Sequence, residues 1–132
     1  MRLCDASTNR DVTITNAHRA FEGTPYAEAE FSIDLHIPTF TETAKMEAKA
    51  DRKTSGGRTD MVALLGVIRE KFNSAVRGWT GFTAANGQAV PCDDAGKTQV
   101  WEHNNKLAML ILEAVRIEDE ALIAEGADAQ KN

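Results

Sequence analysis

Residues 28–37 constrain the fold of this chain more than any other stretch. Ala29, Phe31, Ile33, Leu35 and Ile37 alternate with Glu28, Glu30, Ser32, Asp34 and His36. Neighbouring side chains on a strand point to opposite faces, so strict period two predicts a strand with one apolar and one polar face. Pro38 stops it, because proline has no N–H for the ladder. Val12–Thr15 is a second, β-branched strand candidate. Ala44, Met46, Ala48 and Ala50 interleave with Thr43, Lys45, Glu47 and Lys49. That period predicts a third strand over 43–50, although its Ala, Lys and Glu content suits a helix. Paired with 28–37, it would set lysines beside Glu and Asp across the ladder.

The remainder of the chain reads differently. The polar, Gly-rich stretch 51–58 is a loop signal. Thr59 or Asp60 can cap a helix in which Met61, Leu64, Leu65, Ile68, Phe72, Ala75 and Val76 recur at helical spacing. Arg69, Glu70, Lys71, Asn73 and Arg77 occupy its other side, and Gly78 is a natural stop. Asn86-Gly87 favours the left-handed geometry of a tight hairpin turn. A last helix carries Trp101, Leu107, Leu110, Ile111, Ala114, Val115, Leu122 and Ile123, with an acidic interruption at Glu118-Asp119-Glu120. The predicted class is α+β. Antiparallel strands at about 12–15, 28–37 and 43–50 pack with principal helices at about 60–77 and 99–124, and a small hairpin lies near 80–90. One domain is expected over 1–125, with a flexible tail over 126–132; at 132 residues, one core is the default.

Charge and composition narrow the function classes. The formal net charge is -5, and no dense Lys/Arg run offers a phosphate backbone a basic face. Arg52-Lys53 and Arg58 read as parts of a solvated loop. No apolar run approaches the roughly 20 residues of a membrane span. The first residues lack the apolar stretch of a signal peptide. Cys4 and Cys92 are expected as free thiols in a reducing compartment.

Each constellation that could carry chemistry falls short. Gly96-Lys97-Thr98 resembles the end of a phosphate-binding loop, but Pro91 stands where that loop needs a glycine. His18, His36 and His103 have no metal-ligand spacing. Cys92 with His103 could be drawn as nucleophile and base, yet flanking Asp93 and Asp94 would raise a thiol pKa. No catalytic residue, cofactor or metal is expected. Trp79, Phe82 and Trp101 are three of eight aromatics. Core packing is one reading of them; a partner-binding groove is the other, because Trp is enriched at binding hot spots.

The order Val76, Trp79, Gly81, Asn86-Gly87, Val90-Pro91 and then a helix from about Trp101 resembles phage tail assembly chaperones. The resemblance covers about 40 residues, with 28–37 matching the family's N-terminal β region by layout. Two positions depart from the pattern. Cys92 stands where the family commonly has Phe, and the DDAGKTQ stretch precedes the helix. The resemblance implies a non-enzymatic protein of the bacterial host cytoplasm that binds the tape-measure or tail tube protein and leaves before the virion is complete. It also implies a programmed frameshift near the end of the first product, and Gln130-Lys131-Asn132 can be encoded by an A-rich slippery run. A structural virion component, such as a connector or tail-completion protein, and a phage inhibitor of a host defence complex are the alternatives. A homo-oligomer is compatible with all three.

Overall fold

The computed structural model describes residues 3–53 and 61–131. The expected loop from residue 54 onward, and the cap candidates Thr59 and Asp60, lie outside the described residues. The fold is α+β. Strands β1 (Asp11–Thr15), β2 (Ser32–His36) and β3 (Val76–Thr80) form one antiparallel sheet in the order β1-β2-β3. Helices α1 (Phe40–Lys53) and α2 (Met61–Ala75) lie between β2 and β3 in sequence, and α3 (Asp94–His103) and α4 (Asn105–Lys131) follow.

The alternation at 28–37 marks real faces. Phe31, Ile33, Leu35 and Ile37 are buried, whereas Asp34 is exposed. The regular strand is shorter than expected: it runs only over Ser32–His36, and Glu28 belongs to the 3-10 turn Pro25–Glu28. Val12 faces Leu35 and Ile14 faces Ile33 across the first ladder. On the polar face, Thr13 Oγ1 donates to Asp34 Oδ1 at 2.7 Å, and the Ser32 and Thr80 hydroxyls are 2.7 Å apart. One apolar and one solvated face is the usual state of an antiparallel sheet.

The expected strand over 43–50 is a helix. Thr39 Oγ1 accepts from the Glu42 amide at 3.2 Å, and Glu42 Oε1 accepts from the Thr39 amide at 3.1 Å. This reciprocal capping box satisfies two amides that a helix start leaves orphaned. The Ala, Lys and Glu content then propagates the helix. The alternation at 44–50 has no face behind it: Met46 is buried, while Ala44 and Ala48 are exposed.

The third strand is β3, expected as the end of a helix. Helix α2 stops at Ala75, and Gly78 sits inside the strand opposite Asp34 rather than capping a helix. Val76 and Trp79 are both buried although three residues apart. A register shift reconciles this: Asp34 faces Gly78 and Leu35 faces Val76, so Arg77 is an extra residue on β3. A bulge of that kind restores the inward direction after an odd step.

Helices α2, α3 and α4 cover the apolar face. Phe72, Val100, Trp101, Leu107, Ala108, Ile111 and Ala114 form one buried cluster with Ile14, Ile33, Leu35, Val76 and Trp79. Phe21 and Phe72 are fully buried, and each contributes roughly 1.5–3 kcal/mol by leaving water. The single helix expected over 99–124 is two. α3 begins earlier, capped by Asp93, whose carboxylate accepts from the Gly96 amide at 2.8 Å. It ends at Asn104, whose backbone leaves helical geometry at φ -136 and ψ 45. The acidic interruption does not break α4. Glu118 pairs with His18 at 3.0 Å, and Glu113 and Glu120 both hold Arg116. Residues 126–131 of the segment expected as a tail are helical and end α4 at Lys131. Among the described residues, no helix is long and apolar enough to cross a membrane.

Candidate protein-binding surface

The aromatic segment builds a clamp at the end of the sheet. Gly81 leaves β3 at φ +92, and any Cβ there would strike the Glu30 carbonyl oxygen and lie 2.9 Å from Phe31 Cα. Only glycine allows so close an approach. The chain then folds back on itself. The Val90 amide donates to Phe82 O, the Ala84 amide to Gln88 O and the Gly87 amide to Ala84 O, at 2.8–2.9 Å. The hairpin expected near 80–90 is present, but only Gly87 of the Asn86-Gly87 pair has positive φ. Asn86 keeps ordinary backbone geometry and accepts from the Gln88 amide at 3.0 Å. The turn is thus a three-residue hairpin closed by a left-handed glycine.

Trp79 ties this hairpin to the core. Its Nε1 donates to Val90 O at 2.7 Å, and its ring lies 4.9 Å from Phe82. Phe82 continues to Phe31 at 5.5 Å, and Phe31 to Phe21 at 5.1 Å. Trp101 stands apart from this row and packs on Phe72 at 5.8 Å. Trp79 and Trp101 are 9% and 8% exposed. Both indoles therefore hold the core, and of the three aromatics singled out in the sequence only Phe82 remains half-buried at the surface. Phe82 lines a cleft of about 190 Å³ with Tyr26, Phe31, Val90, Val100 and Leu107.

Gly96, Lys97, Thr98 and His36 are engaged in packing or polar contacts. Gly96 packs so tightly that a Cβ would overlap the Pro91 carbonyl oxygen and touch Trp79 Cζ2 at 3.2 Å. Lys97 Nζ donates to Asn73 O at 2.9 Å, and Thr98 Oγ1 accepts from Arg69 at 3.1 Å. Cys92 precedes α3 and His103 ends it, so a helix of roughly 15 Å separates them. Burial pushes the Cys92 thiol up, with Asp93 and Asp34 adding to the effect against Lys97. His36 Nδ1 and Nε2 each lie 2.9 Å from a carboxylate, those of Asp11 and Glu42. Among the described residues, no three His, Cys, Asp or Glu side chains gather into a metal cluster.

The surface that sequence reasoning missed lies on α2. Met61, Val62, Leu64 and Leu65 are 66%, 56%, 55% and 45% exposed. The stripe expected to face the core does so only from Ile68 onward, through Ile68, Phe72 and Ala75. Ile68 carries the stripe into a groove of about 330 Å³ between α2 and α4, lined by Met109, Leu112 and Val115. Glu70, expected on the solvent side, is instead buried and pairs with Lys49 of α1 at 3.5 Å. The second half of α2 is therefore covered on two sides, by α1 at Glu70 and by the core at Phe72, while Met61, Val62, Leu64 and Leu65 of its first two turns stay exposed.

Compared with protein-family models, curated proteins and solved structures, the chain matches none.

Proposed function

We propose that this protein is a non-enzymatic phage tail assembly chaperone that binds an apolar segment of the tape-measure or tail tube protein in the bacterial cytoplasm. The observation that carries the reading is the row of exposed Met61, Val62, Leu64 and Leu65. Exposed apolar side chains gathered in one patch mark interaction surfaces. Continued through Ile68 into the groove of Met109, Leu112 and Val115, which Lys71, Arg116 and Asp119 also line, the row offers an apolar track with charged neighbours. Such a track can shield a partner's apolar surface until that partner polymerises.

The motif residues support the family reading in a second way. Trp79, Gly81, Asn86, Gly87 and Pro91 all take part in the clamp or its packing against α3, and Val76 lies buried at the start of the same strand, so each motif residue has a structural role here. One departure from the family pattern also narrows. The DDAGKTQ stretch is no intervening loop, because α3 begins at Asp94. Cys92, at the usual Phe position, packs against the core cluster.

Two experiments test the reading. Pull-down with the tape-measure and tail tube proteins from the same genome should recover a complex; a folded sample that binds neither overturns it. Mass spectrometry of purified virions should find the chain absent. Stoichiometric copies in the particle would make it a structural component instead.

A further inference from the structure

A second surface differs in character from the apolar track. Between α1 and the junction of α2 with β3 lies a cleft of about 270 Å³. Its walls hold three fixed cations, Lys45, Lys49 and Arg77, and one carboxylate, Glu42. That balance is the reverse of the chain as a whole, whose formal charge is -5.

The lone carboxylate is already engaged. Glu42 accepts from the Thr39 amide and lies 2.9 Å from His36 Nε2. Lys49 and Arg77 are each held by a contact, but the three cations are only partly neutralised. Glu70, 7% exposed at its side chain, lies beneath Lys49 at 3.5 Å. Arg77 Nε donates to the Ser74 carbonyl at 3.0 Å, which orients the guanidinium without cancelling its charge. Among the described residues, no carboxylate lies within ion-pair reach of Lys45 or Arg77. Lys45 and Lys49 are also one helical turn apart, a spacing at which like charges destabilise each other. An incoming anion would relieve that repulsion.

We propose that this cleft docks an acidic segment of a protein partner, with Lys45, Lys49 and Arg77 pairing with its carboxylates. Two features favour such a segment over a phosphate group. Pro38 and Met46 give the cleft apolar walls suited to the methylenes of glutamate side chains. The capping box also occupies amides at the start of α1, which would otherwise form the ready cradle for phosphate. This inference concerns a surface separate from the α2 track and holds for any partner bearing such a segment.

The test is an amide-resolved NMR titration of the full chain with a hexaglutamate peptide at low ionic strength. Saturable shifts confined to residues 36–49 and 74–77 are expected. The double variant Lys45→Gln/Arg77→Gln should bind about tenfold more weakly with unchanged circular dichroism. Lys106→Gln, which removes an exposed lysine elsewhere, should leave binding intact. Shifts that never saturate would overturn the proposal. So would equal weakening by Lys106→Gln, or inorganic phosphate binding the cleft as tightly as the peptide.

Discussion

Replacing Gly96 by alanine sets two effects against each other. Gly96 lies in the first turn of α3, and alanine in a helix interior is worth about 1 kcal/mol over glycine. Propensity alone therefore predicts stabilisation. The packing predicts the opposite. A Cβ at this position would overlap the Pro91 carbonyl oxygen, lie 3.2 Å from the Pro91 carbonyl carbon and touch Trp79 Cζ2 at 3.2 Å. The overlapped atom is backbone, so no side-chain rotation relieves it. Helix α3 must lift, or the hairpin must move. Overpacking of this kind costs about 1–3 kcal/mol. Movement of the hairpin also threatens the 2.7 Å bond from Trp79 Nε1 to Val90 O, worth about 1 kcal/mol. With the propensity gain subtracted, Gly96→Ala should destabilise by about 2 kcal/mol. Urea unfolding followed by tryptophan fluorescence reads this directly. At a slope near 2 kcal/mol/M, the midpoint should fall by about 1 M. A midpoint equal to or above that of the unmodified protein would refute the packing argument.

Trp79→Phe removes the donor to the Val90 carbonyl, and the fold should lose about 1–3 kcal/mol, with faster hydrogen exchange at the Ala84 and Val90 amides. Unchanged exchange there would mean the indole does not hold the hairpin. The Thr39 amide, aided by the Thr39 hydroxyl and His36, holds the Glu42 carboxyl below its usual range against a smaller opposing push from burial. A group whose pKa is lowered by folding stabilises at higher pH and loses that contribution as pH falls through its folded value. Acidification should therefore cost the native chain more stability than Glu42→Gln, and parallel curves in urea titrations at stepped pH would contradict this. Alkylation by iodoacetamide should label exposed Cys4 well before half-buried Cys92, whose thiol is raised by burial. Preferential labelling of Cys92 would revive it as a nucleophile.

The parts of the fold legible in the sequence are those where a local pattern coincides with a real face. Phe31, Ile33, Leu35 and Ile37 alternate because a sheet separates core from water there. Asn86-Gly87 announces its hairpin because only glycine takes the left-handed position cheaply. Helix α1 was obscured by an alternation of alanines with no face behind it, though Thr39 followed three residues later by Glu42 is a capping signal. Strand β3 was hidden by the Arg77 bulge, which gives Val76 and Trp79 the three-residue spacing of a helix. The candidate surfaces were harder to see. An apolar stripe reads the same whether it meets its own core or a partner, so Met61, Leu64 and Leu65 carried no sign of their exposure. The cationic cleft joins residues 45, 49 and 77 from separate elements, which no local pattern can show.

The central claim is that the first two turns of α2 bind the partner, and the measurement that tests it most directly is calorimetric titration of the variant Leu64→Glu/Leu65→Lys. The pair keeps the net charge and changes two side chains that are 55% and 45% exposed. Exposed substitutions usually alter stability by about 0.5 kcal/mol or less, so the fold should persist, which circular dichroism checks. Affinity for the tape-measure or tail tube protein should fall about a hundredfold, as expected when two anchor residues are lost. A folded variant that binds its partner as tightly as the native chain would contradict the account.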